Sequence, residues 1–269
     1  MNSSKLKAGL VAISSLALIL TACLGGMDTG SKYSKFGLVG LTNTGTSKVF
    51  TGLFYKLPTP ISQPTTGTAF AEDTCVVINA LTDVPKAPGA ENQQGIALDA
   101  GTELTVKNAT GTLATMLASS AGSSPQFKAY FSTPSTTIPD ASGATIETPG
   151  AADGFPKMTA TFPNELATFT FGPTKDITKD TVFEWTTPTP GAVVSIGVLS
   201  VVGTNPVIAF CFAKDDGSFA FPDSVKTELA AKGFTTGGLL LANKGTFKFV
   251  PQGDALLIMQ TARASTFVQ

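Results

Sequence analysis

The chain has 269 residues, 42% of them hydrophobic and 14% charged, and a formal net charge of −1 at pH 7. It contains no histidine, which excludes Ser-His-Asp and Cys-His catalysis as well as histidine-ligated zinc, copper and haem sites. Its single arginine, Arg263, and its scattered lysines argue against a surface for nucleic acid or phosphate. We therefore predict no catalytic residue, no metal site and no cofactor.

Residues 1–22 predict a signal peptide. Lys5 and Lys7 precede an apolar run over 8–20, which would form about 20 Å of helix, less than the roughly 30 Å hydrocarbon core of a bilayer. A basic start followed by a short apolar run is typical of an export signal rather than of a membrane span.

The apolar run ends in four residues, Leu20-Thr21-Ala22-Cys23, that resemble the lipobox of bacterial lipoproteins. The resemblance implies that Cys23 receives a thioether-linked diacylglyceryl group and fatty acyl chains such as palmitate, and becomes the mature N-terminus. Two or three such chains anchor a protein stably, since each buried methylene contributes about 0.8 kcal/mol. Leu24, in place of the aspartate that retains lipoproteins in the inner membrane, points to the outer membrane or cell surface. The alternative is an ordinary signal peptide, with Cys23 a free thiol.

Two further cysteines, Cys75 and Cys211, remain in the mature chain. Export to an oxidising compartment makes a disulfide the default for such a pair, and closing so long a loop would stabilise the fold by up to about 5 kcal/mol in the polymer model. The alternative is two buried free thiols on separate strands, because spacing alone does not bring their Cα atoms within the ~7 Å that a disulfide needs.

The rest of the sequence divides into a tether and two predicted β domains. Glycines and small polar residues over 23–35 predict a flexible tether from the lipid to the fold. The first β domain is predicted over 36–131 and the second over 155–269. Prolines and glycines are concentrated over 132–154, which predicts a linker between the domains or, alternatively, a long loop with a small strand inside it.

Short apolar or alternating runs, separated by turn residues, predict an antiparallel β-sandwich in both halves. The 17 prolines and 27 glycines of the chain supply those turns. A run over 112–119 fits either a strand or a helical turn. The strands are predicted over 36–41, 48–55, 75–81, 95–98, 103–107, 127–132, 167–171, 182–186, 193–199, 206–213, 218–221, 237–242, 246–250 and 255–262.

One short helix is predicted, over 223–232. Asp223 or Ser224 is placed to cap its start. Val225 and Leu229 would share a buried face, because residues four apart lie on the same side of a helix.

Several strings in the second half carry a family resemblance: Phe183-Glu184-Trp185-Thr186, an alternating strand over 193–198, Phe210-Cys211, Asp215-Asp216-Gly217-Ser218-Phe219 and Phe221-Pro222. They resemble uncharacterised bacterial surface lipoproteins with immunoglobulin-like sandwich modules. The resemblance covers about 155–262 and, more faintly, Asp73-Thr74-Cys75, and it implies two immunoglobulin-like domains without an assigned activity. The label describes architecture alone, since the Cys…Trp…Cys order of a true immunoglobulin is absent.

Carboxylates occur in three places where a ligand or a reaction is conceivable. The segment 215–217 offers oxygen ligands to calcium, but it lacks the ligand series of an EF-hand and fits a hairpin turn better. The pairs Glu72–Asp73 and Asp99–Glu103 have the composition of a glycosidase acid pair, yet solvated surface acids are far commoner.

These observations predict a lipid-anchored envelope protein that is not an enzyme. We expect a structural or protein-interaction role, as an accessory subunit of a surface assembly, with an envelope protein as partner and no nucleic acid. Cys23 would anchor the protein, and one sandwich face or edge strand would bind the partner. The alternative is a binding module for a carbohydrate or a small apolar ligand.

Overall fold

A computed structural model of the chain describes residues 27–64, 73–79, 95–124, 127–166, 169, 182–186, 188–202, 205–232 and 239–268. Within these ranges the chain is mostly β, with one short helix and sandwich-like sheets, so the predicted all-β class is confirmed. The predicted signal peptide over 1–22 and Cys23 lie outside the described residues. None of the helices described is both long and apolar enough to cross a membrane.

The described residues contain one helix and fifteen strands. The helix is α1, Asp223–Ala231. The strands are β1 (Met27–Asn43), β2 (Lys48–Pro64), β3 (Thr74–Asn79), β4 (Ile96–Ala97), β5 (Glu103–Asn108), β6 (Gly111–Ser124), β7 (Phe127–Phe131), β8 (Thr145–Thr148), β9 (Met158–Thr161), β10 (Val182–Glu184), β11 (Ala192–Val202), β12 (Asn205–Lys214), β13 (Ser218–Ala220), β14 (Leu239–Gln252) and β15 (Ala255–Val268).

Most of these strands belong to one main sheet. Its order is β3-β12-β11-β14-β15-β1-β2-β7-β6-β5-β8-β9, with β4 paired to β2, and β10 and β13 form a separate two-stranded sheet. The first and last strands of the chain, β1 and β15, pair in parallel over Lys35–Asn43, with Lys35 opposite Ala255 and Asn43 opposite Arg263. The other described strand pairs are antiparallel.

Three clusters of buried side chains lie on the two faces of the main sheet. Because successive side chains of a strand point to opposite faces, Val39 and Leu41 of β1 enter one cluster and Leu38 enters another. We call them the first, second and third cores. The first core includes Val39, Leu41, Phe50, Phe54, Leu104, Val106, Met116, Ile146, Phe155, Leu257 and Met259. The second core includes Phe183, Trp185, Val194, Ile196, Val198, Cys211, Phe219, Phe221, Val225, Leu229 and Ala242. The third core includes Tyr33, Phe36, Leu38, Leu53, Leu57, Phe212, Leu256 and Ile258.

The first core is packed closely around a glycine of the central strand. A Cβ atom on Gly37 would lie 2.7 Å from Phe54 Cε1 and 2.8 Å from Leu257 Cδ1. Side chains of β2, of β15 and of the loop that holds Phe155 therefore meet at Gly37, where β1 carries no side chain. Adding even one methyl group there would force these neighbours out of position.

Helix α1 covers the second core and agrees with the prediction, except at its start. Val225 and Leu229 are buried, as expected. The predicted cap by Asp223 or Ser224 is wrong, because Pro222 occupies the N-cap position and its carbonyl accepts hydrogen bonds from the N–H groups of Val225 and Lys226. Asp223 instead lies in the first turn, where a negative charge is favourable to the helix dipole.

The structure differs from the predicted domain organisation in two ways. β1 begins at Met27, so residues 27–35 of the predicted tether form a strand paired with β2. The predicted linker over 132–154 contains β8, which pairs with β5 of the first half and β9 of the second half. The alternative of a long loop with a small strand inside describes this segment, and neither two domains nor an immunoglobulin-like type is confirmed.

Most predicted strands are present, with different ends. The undecided run over 112–119 is part of β6, while β8 and β9 were not predicted. The runs over 237–242 and 246–250 form one continuous strand, β14. Of the predicted strand over 167–171, Phe169 alone lies within the described residues, buried in the second core.

A disulfide joins the edge of the main sheet to the strand beside it. Cys75 of β3 lies directly opposite Cys211 of β12, with their Cα atoms 4.1 Å apart, and a bond connects their sulfur atoms. The predicted pairing is thus present, and it links residues separated by 136 positions in sequence. A six-residue edge strand is held to the sheet covalently as well as by hydrogen bonds.

Replacing both cysteines (Cys75→Ala with Cys211→Ala) should lower the free energy of unfolding by about 2–4 kcal/mol, because the unfolded chain loses its cross-link. Urea denaturation measures the change. Reducing agent should shift the wild-type transition in the same direction and leave the double variant unmoved. Alkylation of both thiols in unreduced native protein would contradict the pairing.

Candidate functional site

A row of polar side chains crosses the main sheet between the first and second cores. Lys244 of β14 lies opposite Arg263 of β15, which is beside Asn43 of β1, and Asn43 lies opposite Lys48 of β2. Directly opposed residues share a face of the sheet. Lys244 follows Ala242 of the second core by two residues, and Asn43 follows Leu41 of the first core by two. We call Lys244, Arg263, Asn43 and Lys48 the polar row.

A buried ion pair holds the Lys244 end of the polar row. Lys244 Nζ lies 2.7 Å from Asp215 Oδ2, and both side chains are only 4% exposed. Asp215 also accepts hydrogen bonds from Trp185 Nε1 at 2.7 Å and from the backbone N–H of Thr189 at 2.7 Å. The carboxylate therefore joins β14, the end of β10 and the loop before β11.

A second carboxylate holds the Lys48 end of the row. Lys48 Nζ lies 2.6 Å from Glu165 Oε1, with side-chain exposures of 16% and 11%. Asn43 Nδ2 donates to Glu165 Oε2 at 3.1 Å, and the backbone N–H of Ala141 donates to Oε1 at 2.7 Å. Lys48 also donates to the carbonyl of Pro139 at 2.8 Å. Glu165 thus ties the loops on either side of β8 and β9 to the central strands.

Arg263 occupies the middle of the polar row and differs from its neighbours. Its side chain is half-buried. Among the described residues, neither a carboxylate nor a hydrogen-bond acceptor pairs with its guanidinium. Within the described ranges, the row thus contains two cations that have carboxylate partners and one that has none.

A third carboxylate, Asp99, fastens a loop at the far end of the first core. Asp99 Oδ2 accepts from Lys128 Nζ at 2.6 Å, and Oδ1 accepts from the backbone N–H of Gly101 at 2.8 Å and lies 3.0 Å from the Tyr130 hydroxyl. Desolvation raises the pKa of Asp99, but these hydrogen bonds outweigh it and leave that pKa below its ordinary value. Burial raises the pKa of the Tyr130 hydroxyl, which accepts from the N–H of Ala100 at 3.0 Å.

The carboxylates singled out in the sequence serve the fold at the described positions. Asp215 belongs to the ion pair above, while Asp216 accepts from the N–H of Ser218 in the turn between β12 and β13, where Gly217 has a φ of +106°. Segment 215–217 is a turn, but the hairpin-turn interpretation is wrong, because β12 pairs with β3 and β11 in the main sheet while β13 pairs with β10 in the separate sheet. Asp99 pairs with Lys128 rather than with Glu103.

Of the pair Glu72–Asp73, Glu72 lies outside the described residues, and Asp73 accepts from the N–H of Lys214 at 3.2 Å. Across the described ranges, no three His, Cys, Asp or Glu side chains come together as a metal site would require.

No family model matches the chain, and neither the curated proteins nor the solved structures contain a significant match. The resemblance to lipoproteins with immunoglobulin-like modules therefore stays a prediction that depends on the quoted residues.

The polar row was missed by the sequence analysis for a physical reason. The segment 243–245 has the composition of a turn, which predicts a break between the strands over 237–242 and 246–250. In the structure these residues lie inside β14, with Asn243 and Lys244 buried. One signal in the sequence could have indicated the polar row. Arg263 is the one arginine of the sequence, and it directly follows the predicted strand 255–262.

Replacing Asp215 by Asn leaves the Lys244 ammonium buried without this counter-charge, so the free energy of unfolding should fall by about 3–5 kcal/mol. Urea denaturation measured by tryptophan fluorescence reports it, since Trp185 is the single tryptophan. Asp216→Asn, the exposed neighbour in the same turn, is the matched control and should change stability by less than about 0.5 kcal/mol. Equal stability of D215N and wild type would show that the ion pair does not support the fold.

Proposed function

We propose that this chain is an exported lipoprotein, anchored through Cys23, whose folded part binds an envelope protein and has no catalytic role. The leader over 1–22 and the string Leu20-Thr21-Ala22-Cys23 support the export and the anchor. The observation that carries most weight is the Cys75–Cys211 disulfide, because such bonds persist in oxidising compartments outside the cytosol.

The start of β1 limits the distance between the main sheet and a lipid on Cys23. β1 begins at Met27, and a chain spans at most about 3.5 Å per residue. The Cα atoms of Cys23 and Met27 therefore lie within roughly 14 Å of each other, whatever path the chain takes. A lipid on Cys23 would keep the main sheet close to the membrane surface, where an envelope partner is at high local concentration.

An apolar patch supports a protein as the partner. Leu117 of β6 is 58% exposed and lies opposite the half-buried Phe131 of β7. Phe131 packs at the border of the third core. Covering an exposed leucine beside a phenylalanine removes apolar area from water, which is the main favourable contribution to protein association.

The anchor is tested by Cys23→Ser. The variant should fail to incorporate a clickable palmitate analogue and should move from the membrane fraction to the soluble fraction, because no acyl chain remains to hold it. Ser14→Ala, inside the apolar run of the leader, is the control that keeps the lipobox and should stay on the membrane. Continued sedimentation of the Cys23 variant with membranes would overturn the acyl anchor.

The interaction role is tested by Leu117→Glu in the full-length protein. Pull-down from detergent-solubilised envelope, followed by mass spectrometry, should recover a partner with wild type and about tenfold less of it with the variant, as for the loss of a central apolar contact. Thr115→Glu adds the same charge at an exposed position of the same strand and should bind normally. Wild-type protein that comes down without a protein partner, or carrying a glycan or lipid instead, would overturn the proposal.

A further inference from the structure

The guanidinium of Arg263 is a charged group for which the described part of the chain provides no partner. An arginine offers five N–H donors in a planar fork. Half-burial removes part of the water that would otherwise solvate that charge, which is unfavourable unless a partner replaces it. Within the described part of the chain no such partner is present.

Among the side chains that the structure describes, the charges of the polar row leave one positive charge without a carboxylate partner. Lys244 is neutralised by Asp215 and Lys48 by Glu165, while Arg263 lies between these two pairs in the register of the sheet. A ligand with one negative charge would complete the row. A dianion would instead leave one negative charge without a cation among the described side chains of the row.

A second unused group lies on the same face, close to Arg263. Thr246 Oγ1 is buried, and among the described residues it has no hydrogen-bond partner. Thr246 is two residues from Lys244 along β14, which is about 7 Å at the rise of a strand. Thr246 lies opposite Thr261, which is two residues from Arg263 on β15. A buried hydroxyl without a partner is costly, and an oxygen atom of a bound ligand would satisfy it.

We propose that the polar row is a binding site for a carboxylate group with a single negative charge. The Arg263 fork would donate two parallel hydrogen bonds to the two carboxylate oxygens, a geometry that lysine does not reproduce. The Thr246 hydroxyl would donate to the ligand as well. Because the site depends on β14 and β15 and not on the leader, it stands whether or not Cys23 carries a lipid.

The test uses the single arginine of the chain. In the full folded protein labelled with ¹⁵N, Arg263 gives the one arginine Nε–H signal of the spectrum, so its origin is unambiguous. Sodium acetate should shift this signal in a saturable way with a Kd of about 1–10 mM, as expected for a ligand with so few atoms. Sodium chloride at matched ionic strength should give a small shift without saturation. Equal effects of acetate and chloride would overturn the site, and stronger binding of phosphate than of acetate would overturn the assignment to a carboxylate.

Variants connect the response to the named side chains. Acetate should raise the Tm of wild type above that in matched chloride, and Arg263→Gln should abolish this difference. Arg263→Lys, which keeps the charge without the fork, should retain a smaller part of it. Thr246→Val should weaken acetate binding about threefold to tenfold, the effect of one ordinary hydrogen bond.

Lys56→Gln is the control for the loss of one positive charge, because Lys56 is exposed on β2 outside the polar row. It should keep the full acetate response. If Arg263→Gln does not fold, the Nε–H titration of wild type and the Thr246→Val comparison still decide the question. A Thr246→Val protein with unchanged affinity would remove that hydroxyl from the site, and an acetate response retained in Arg263→Gln would overturn the proposal.

Discussion

The fold depends on the parallel pairing of β1 with β15. This contact brings the two ends of the described chain side by side at the centre of the main sheet, and it is the one parallel pair among the described strands. Two of the three cores are built across it, because Val39 packs with Leu257 in the first core and Leu38 packs with Leu256 in the third. Two parallel neighbours need a crossover connection, and here the chain between β1 and β15 is that connection. Its strands lie on both sides of the β1–β15 pair in the main sheet.

The polar row sits where the first and second cores would otherwise merge. Buried ion pairs such as Asp215–Lys244 add little net stability compared with apolar residues, but they penalise any arrangement that separates the partners. A shift of β14 by one residue against β15 would turn Lys244 towards the third core, away from Asp215. The row therefore favours one pairing register for β14, β15 and β1 over shifted registers.

Local patterns in the sequence predict the elements well and their assembly poorly. The continuous apolar run of β12 and the buried pair Val225 and Leu229 of α1 need no information beyond their own residues. β14 could not be predicted whole, because the segment 243–245 has the composition of a turn and lies in a strand through its pairing with β11 and β15, which are distant in sequence. The polar row joins residues from four strands, and its partners Asp215 and Glu165 come from two loops; such tertiary pairs leave no periodic signal along the chain.

β1 and β15 are neighbours in the main sheet, yet all the other described strands lie between them in the chain and are therefore synthesised before β15. β1 has β2 available early, but its other edge stays open until β15 has been made. Contacts of such long sequence separation form slowly, because closing the loop costs chain entropy before any packing repays it. Until β15 is made, the chain therefore carries an unpaired strand edge at the position that becomes the centre of the main sheet, and such an edge can pair with another chain.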